Sequence, residues 1–334
     1  MEFKRKIIVI LGPTASGKSE LGVKLAKKIG GEIISADSRQ VYKGLNIGSG
    51  KVDGRWIIES LNKKQFRKLK SQKSKVKSTT QNSKVFKYKG VSHYCIDYVS
   101  SKKIYTVVDF KKCAEEAKEK IFAGNKIPII VGGTGLYIQA IVDNIVLPEV
   151  KPDWKLRKEL EKKTATEMFE MLKKLDPERA KTIDPKNPRR LIRAIEIAKS
   201  LGSVPITRYG LPVTGYDFLQ IGIKLPDEIL KKNIEKRIKK MLNPPAGGGL
   251  VAETKKLKKS GLTWKRIYEF GFEYKYPAMF LQKKISKEEM LSKMIAENWQ
   301  YAKRQMTWFK RDNRIEWIED TKEAEKMAKD FLKK

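Results

Sequence analysis

An α/β fold is what this 334-residue sequence predicts: a P-loop NTPase-like, doubly wound parallel sheet with an inserted helical domain and a helical carboxy-terminal part. Three observations carry it. First, the apolar run Ile7 to Leu11 leads directly into Gly12-Pro13-Thr14-Ala15-Ser16-Gly17-Lys18-Ser19, which has the pattern G-x-x-x-x-G-K-S, and then into a helical periodicity (Leu21, Leu25, Ala26, Ile29) that closes on Gly30-Gly31. Second, a strand-to-glycine-turn-to-helix junction recurs where Ile127 to Val131 ends in Gly132-Gly133-Thr134-Gly135 and Leu136-Tyr137-Ile138 opens a helix. Third, the alternation of strand and helix stops beyond Pro148, and Pro152 to Leu201 reads as helices broken at Asp176-Pro177, Asp184-Pro185 and Asn187-Pro188. The expected organisation is a core over 1–147 with a basic insert at about 52–90, an inserted helical domain over 148–205, and a return to the core with a basic helical part over 206–334.

Composition narrows the partners. Lys+Arg is 73 against Asp+Glu 39, a formal net charge of +34, and such a surface attracts a polyanion; nucleic acid is the natural partner. A lysine-rich surface adapted to temperature is the competing reading, supported by many i,i+4 Lys/Glu pairs. The 2 cysteines (Cys95, Cys113) and 1 histidine (His93) exclude a zinc site of four Cys/His ligands and argue against a disulfide framework. Met1 to Lys6 runs into the first strand without a signal-peptide core, and no apolar run reaches the ~18 residues of a membrane span, so a cytoplasmic chain with no membrane contact is expected.

In chain order, the first glycine-rich loop is an anion site. Its glycines let backbone N–H groups turn inward at the positive end of a helix, Lys18 adds a point charge, and Ser19 can hold a magnesium ion. Glu32 to Ala36 is a strand whose carboxyl end delivers Asp37, Ser38, Arg39 and Gln40 to the ligand crevice; Asp37 is there either for chemistry or as the cap of the next turn. Gly48-Ser49-Gly50-Lys51 mimics the tail of a second P-loop, but Leu45 stands where its first glycine should be, which leaves only a lysine able to meet phosphate. From Leu61 to Gly90 there are eleven basic residues and no acidic one, so that stretch reads as a solvated insert or as an arm along RNA phosphates. Thr106 opens a helix with Asp109 as a partial capping box, and its apolar face makes Cys113 a core residue. Arg189, Arg190 and Arg193 share a helix that can grip phosphates, with a solvated basic face as the bland alternative. Gln220 to Leu225 returns as a strand, and Ile315 to Ile318 closes the series. In between, Ala302 to Arg311 interleaves basic and aromatic residues, either to stack bases or, for Trp308 and Phe309, to fill core.

Taken together, GPTASGKS, ISADSRQVYKGLNIGSGK, SHYCID, IPIIVGGTGLYIQA, DP…NPRRLIRAIE and YAKRQMTWFKRD resemble, in order and over almost the whole chain, the tRNA dimethylallyltransferase (isopentenyltransferase) family. The resemblance implies transfer of a dimethylallyl group from dimethylallyl diphosphate to N6 of the adenosine at tRNA position 37, beside the anticodon, by a monomer that uses magnesium and hydrolyses no ATP. Carried over by motif, the loop from Gly12 to Ser19 cradles the diphosphate, Lys18 and a magnesium ion on Ser19 neutralise the leaving group, and Asp37 is the general base. Thr134 lies at the catalytic channel, Arg157 meets substrate, and Asp37 to Gln40, Arg189 to Arg193, Arg304 and Gln305 line the tRNA path. Three departures stand out: the long basic insert, Gly48-Ser49-Gly50-Lys51 in place of G-T-A-K, and Tyr94-Cys95 in place of His-Leu. An isopentenyltransferase acting on free AMP, ADP or ATP is the nearest alternative within the fold, and a P-loop small-molecule kinase, which would turn over ATP, is the alternative from a different class of enzyme.

Overall fold

Ile7, Ile8, Val9, Ile10 and Leu11 are all fully buried in strand β1 (Arg5–Leu11), as a central strand of a parallel sheet covered on both faces requires. Each such isoleucine contributes roughly 1.5–3 kcal/mol by leaving water. The computed structural model describes residues 4–60, 82–145, 147–205, 215–244 and 248–333, and the chain divides into two units, Met1–Val142 with Pro212–Lys334, and Asp143–Leu211.

The first unit is built on an eight-stranded sheet. Its strands in spatial order are β3 (Arg55–Ser60), β4 (Asn82–Tyr88), β5 (Val91–Tyr94), β2 (Gly31–Ala36), β6 (Ile127–Gly132), β1, β7 (Tyr216–Ile223) and β8 (Ile315–Ile318). From β5 to β8 every pairing is parallel, as the sequence predicts, while β4 runs antiparallel to both β3 and β5. Because side chains alternate along a strand, Ile8, Ile10, Ile129 and Val131 meet Leu21 and Leu25 of helix α1 (Lys18–Ile29) on one face. Ile7, Val9, Ile34 and Ile130 meet the other layer, helices α2 (Val107–Ala123) and α3 (Gly135–Val142). Thr106 caps α2 in a complete capping box, its hydroxyl accepting from Asp109 N and the Asp109 carboxylate accepting from Thr106 N.

The second unit holds α4 (Trp154–Leu160), α5 (Ala165–Leu175), α6 (Pro177–Thr182) and α7 (Pro188–Leu201) around Leu160, Leu172, Leu191 and Ile195. Asp176 and Asn187 cap α6 and α7, each followed by proline at the first helical position, so the predicted breaks are N-termini in fact. Asp184-Pro185 lies in a turn between them, and a further break comes at Thr164, which caps α5. The carboxy-terminal part then supplies α8 (Asp227–Leu242), α9 (Gly249–Lys259), α10 (Trp264–Glu269), α11 (Phe272–Leu281), α12 (Lys287–Phe309) and α13 (Thr321–Lys333). A cluster of Leu230, Ile234, Leu250, Ile267, Phe270, Tyr274 and Met294 packs the first five of these helices over Val41, Tyr42 and Leu45.

Two expectations are corrected here. The basic insert is not a solvated segment from end to end: Arg55–Ser60 and Asn82–Tyr88 are strands of the sheet, and Val85 and Phe86 are buried at 3% and 2% exposure. The neighbour strand β5 supplies the hydrogen bonds and apolar contact that the local composition lacks. Residues 61–81 of the insert lie outside the described residues. The two cysteines do pair, Cys95 with Cys113, at a Cα–Cα distance of 6.0 Å, because the turn after β5 lies against α2. Among the described residues no helix is long and apolar enough to cross a membrane.

Candidate active site

Three parallel strands end in one row. Gly132 of β6 stands opposite Leu11 of β1 on one side and Ala36 of β2 on the other, so the next residues, Gly12, Gly133 and Asp37, leave the same sheet edge roughly 4.8 Å apart. The glycine-rich loop, Asp37 and the Thr134 turn are thereby neighbours by topology.

The loop is shaped to receive an anion. Gly17, at φ 87°, stands at the N-cap position of α1 with no side chain capping it, and Ala15 also adopts a left-handed φ of 62°. Among the described residues the N–H groups of Ala15, Gly17, Lys18 and Ser19 have no partner, and the buried hydroxyl Oγ of Ser16 has none either. Unfilled donors of this kind at a helix N-terminus are an oxyanion cradle. Lys18 Nζ donates to the Pro13 carbonyl at 3.0 Å. Burial, then the nearby Arg237 charge, lowers its pKa to about 8 against the opposing pull of Asp37.

Thr14, expected in the cradle, is instead part of its frame. Its N–H donates to Gln305 Oε1 at 2.8 Å, and its hydroxyl accepts from Arg237 Nη1. Asn233, one turn before Arg237 on α8, donates through Nδ2 to the Ala15 carbonyl at 3.4 Å. Gln305 was expected on the tRNA path, but it is buried at 6% exposure, with Nε2 donating to the Gly133 carbonyl at 2.8 Å. The glycine turn is packed to match. A side chain at Gly133 would meet the Gln305 amide and one at Gly135 the Trp308 indole, so the G-G-T-G and R-Q-M-T-W blocks are two sides of one contact. For Trp308 and Phe309 the core alternative therefore holds: Phe309 is buried and Trp308 packs beside it.

Asp37 carries both of its readings at once. Oδ1 accepts from Arg39 N at 2.8 Å and Gln40 N at 3.2 Å, which caps the turn, while Oδ2 has no hydrogen-bond partner among the described residues. Thr134 ties the neighbouring turn to it: Oγ1 accepts from Ser38 N and Thr134 N donates to the Ala36 carbonyl, both at 3.2 Å. Gln40 is used internally, with Oε1 accepting from Ser35 Oγ at 3.2 Å and Nε2 donating to the Gly50 carbonyl at 3.3 Å. Ser19 lines a narrow cleft with Ile33, Ser35, Gln40, Val52, His93 and Val131. A serine hydroxyl is the kind of hard oxygen donor that magnesium accepts beside its own waters and phosphate oxygens. No group of three or more His, Cys, Asp or Glu among the described residues offers a dedicated cage, so such an ion would rest on Ser19 and ligand phosphates.

Sequence reasoning missed three groups here, all from the carboxy-terminal helices. Arg237 reaches the loop, and the Asn233/Arg237 pair at i,i+4 beside the Leu230, Ile234, Ile238 stripe was the available signal. Glu273, partly exposed at the start of α11, has its pKa raised by burial to about 7 although Arg237 and Arg39 pull it down. Burial, then Asp37 and Glu273, also raises the Tyr301 phenol, and Arg39 and Arg304 oppose the rise. Arg304 itself is exposed, its guanidinium 5.9 Å from the Tyr301 ring centroid.

The turn that leads into the P-loop mimic, Asn46 to Gly48, does bind an anion, and that anion is internal. The Glu253 carboxylate accepts from Asn46 N, Ile47 N and Gly48 N at 3.0, 2.8 and 3.1 Å, and from Tyr274 OH at 2.8 Å. Lys51 does not face a phosphate: it donates to Asp97 at 2.5 Å and the Tyr42 carbonyl at 2.7 Å, with its side chain 3% exposed.

In the second unit, Arg189 and Arg190 are exposed at the start of α7. Arg157 and Arg193 are engaged with Glu196, Arg157 through Nε and Nη2 at 2.6 and 2.8 Å and Arg193 through Nη1 at 3.1 Å.

Comparison with known proteins gives this architecture its relatives. A family profile described as IPP transferase matches residues 75–312, and one described as isopentenyl transferase matches residues 5–63. The tRNA dimethylallyltransferase of Lachnoclostridium phytofermentans is 36% identical over 93% of this chain and 91% of its own length. The tRNA dimethylallyltransferase 2 of Treponema denticola is 36% identical over 94% and 96%. Among solved structures, the tRNA delta(2)-isopentenylpyrophosphate transferase from Staphylococcus epidermidis aligns at a TM-score of 0.63 and 31% identity, covering 99% of this chain and 100% of that one. The full-length tRNA isopentenylpyrophosphate transferase from Bacillus halodurans aligns at 0.65 and 29%, covering 99% and 96%. With relatives of that identity spanning nearly its whole length, and with the glycine-rich loop, Asp37 and Thr134 on one sheet edge, this chain belongs to the IPP transferase family.

Proposed function

We propose that this chain transfers a dimethylallyl group from dimethylallyl diphosphate to N6 of the adenosine at tRNA position 37 and releases diphosphate. The observation that carries the reading is the edge on which an unfilled oxyanion cradle and the unpartnered Oδ2 of Asp37 stand side by side. The free amides of Ala15, Gly17, Lys18 and Ser19, with Ser16 Oγ, take the diphosphate oxygens, and Lys18 and Arg237 balance their charge. As N6 attacks C1 of the dimethylallyl group, the C1–O bond to diphosphate breaks. Asp37 Oδ2 receives the N6 proton while Oδ1 stays on the turn amides, so the base does not have to move. Magnesium on Ser19 would add charge neutralisation at the leaving oxygens. One chain carries the cradle, the base and Thr134, which supports action as a monomer, and a tRNA substrate supports a cytoplasmic setting.

The test offers labelled dimethylallyl diphosphate with unmodified tRNA, free AMP or ATP, each with magnesium. Label in tRNA alone at position 37 is expected. Label in AMP or ATP would favour a free-nucleotide transferase, which an exposed Arg189/Arg190 face and a +34 chain do not call for. Hydrolysis of ATP with no prenyl transfer would overturn both.

A further inference from the structure

Trp154 is the most exposed tryptophan among those of the first helical turns, at 56%, and it stands at the very start of α4. A lone exposed aromatic needs no explanation. This one is built in. The Arg157 guanidinium sits 5.1 Å from the Trp154 ring centroid, and it is held there by the bidentate pair with Glu196, whose side chain is 1% exposed. Glu196 also accepts from Asp153 N at 3.0 Å, the residue before Trp154, so one buried carboxylate fixes both the backbone that carries the indole and the cation behind it. Asp153 Oδ1 in turn caps α4, accepting from Lys155 N and Leu156 N at 3.0 Å. Arg193 joins the same carboxylate and donates through Nη2 to the Val150 carbonyl at 3.0 Å. Arg189 lies one helical turn before Arg193 on α7 and is exposed.

An indole with a rigid cation at one side and water at the other is a half-built sandwich. Its missing layer is flat, apolar on its faces and tolerant of a cationic rim, which describes a nucleobase more closely than an aliphatic side chain. We propose that Trp154 is a stacking platform for an unpaired base of the tRNA substrate, with Arg157 as the positioning residue behind it and Arg189 and Arg190 on the adjoining phosphates. This rests on the tRNA reading above and adds to it a residue that reads a base by its face, without hydrogen bonds.

The test is filter binding of unmodified tRNA to the parent chain, W154A, W154F and R189A/R190A across a salt series, with transfer kinetics alongside. Stacking is worth roughly 1–3 kcal/mol per base, so W154A is expected to raise the tRNA Kd by about 5- to 150-fold, and W154F, which keeps a ring, by only a few-fold. No charge is lost at Trp154, so the slope of log K against log salt stays that of the parent, whereas R189A/R190A flattens it. Transfer at saturating tRNA and the Kd for dimethylallyl diphosphate stay unchanged in W154A. An unchanged tRNA Kd in W154A, or an equal loss in W154F, overturns the platform while parent transfer to tRNA keeps the function intact. If the parent neither binds tRNA nor prenylates it, both fall.

Discussion

Gln305 Oε1 accepts the Thr14 N–H at 2.8 Å across 291 residues of sequence, and the other end of the same amide donates to the Gly133 carbonyl at 2.8 Å. A single side chain at the end of α12 thus sets the distance between the glycine-rich loop and the turn that carries Thr134. Among side chains that do not titrate, only a carboxamide has an acceptor and a donor at that spacing. Gly133 has no side chain because the amide occupies that space.

Gln305→Glu tests the latch through pH. An ionised carboxylate still accepts from Thr14 N but turns a second acceptor on the Gly133 carbonyl, leaving a buried group unsatisfied at roughly 1–3 kcal/mol. A protonated acid restores the donor. The variant is therefore expected to show a KM for dimethylallyl diphosphate about 5- to 150-fold above the parent at pH 8, converging on the parent as pH falls towards 5. A ratio of KM values that does not move with pH would mean that Gln305 only fills space.

Asp37 has two jobs that substitutions can separate. Asp37→Asn keeps the Oδ1 acceptor for Arg39 N and Gln40 N but removes the base, whereas Asp37→Ala removes both. If proton removal is the larger effect, single-turnover transfer falls by about 100- to 10,000-fold in both variants, with binding of both substrates retained in Asp37→Asn. An Asp37→Asn variant near the parent rate would leave Asp37 as a turn cap alone.

The pH dependence of anion capture follows from Lys18 and Glu273. Lys18 titrates at about 8 and Glu273 at about 7, in both cases because burial disfavours the charged form. Below 7 the lysine is charged and the carboxyl neutral, the best combination for an anion. From 7 upward Glu273 ionises beside the site, and above 8 Lys18 loses its proton, so the affinity for inorganic diphosphate, measured by calorimetry and expressed relative to a Glu273→Gln/Lys18→Ala variant so that the ligand's own protonation cancels, is expected to fall in two steps. Glu273→Gln removes the first step and Lys18→Ala the second, with tRNA affinity little changed in Lys18→Ala. The stability sign is the reverse for Lys18. Its folded pKa lies below the unfolded value of 10.5, so the unfolded chain binds more protons between about 8 and 10.5, and this group's contribution to stability rises with pH there.

What the sequence displayed was local. Ile7 to Leu11, the Thr106, Asp176 and Asn187 caps and the glycine-rich loop are determined by residues within a turn or two of one another, and the fold class follows from them. The parts it hid are held by long-range geometry. Arg237 meets Thr14 across 223 residues, and Glu253 fills the Asn46 to Gly48 amides across more than 200, contacts that no periodicity or spacing records. Strand β4 was hidden for another reason: Val85 and Phe86 are flanked by lysines, and only β5 alongside makes them a strand. Arg157 shows the limit of motif matching, since a shared position does not reveal that its guanidinium is occupied by Glu196.

The corrected edge of the basic insert decides how its role can be tested. Removing residues through 89 would take β4 out of the sheet, and a loss of activity would then report on folding. Ser60 and Asn82 are paired across β3 and β4, so residues 61–81 can be replaced by a short Gly/Ser turn that leaves both strands in register. That segment carries Lys63, Lys64, Arg67, Lys68, Lys70, Lys73, Lys75 and Lys77 and no acidic residue. Each contact it makes with RNA phosphate releases counterions, so its removal is expected to raise the tRNA Kd at low salt. The slope of log K against log salt should flatten by roughly 0.7 per lost single-strand contact, or up to about 0.9 per duplex contact. The cradle and Asp37 are framed by contacts from Gln305, Thr134 and Arg237, so kcat at saturating tRNA is expected to stay at the parent value. A deletion variant with an unchanged salt slope would show that these charges never touch RNA; a collapsed kcat with an intact melting transition would place the segment at the chemistry instead.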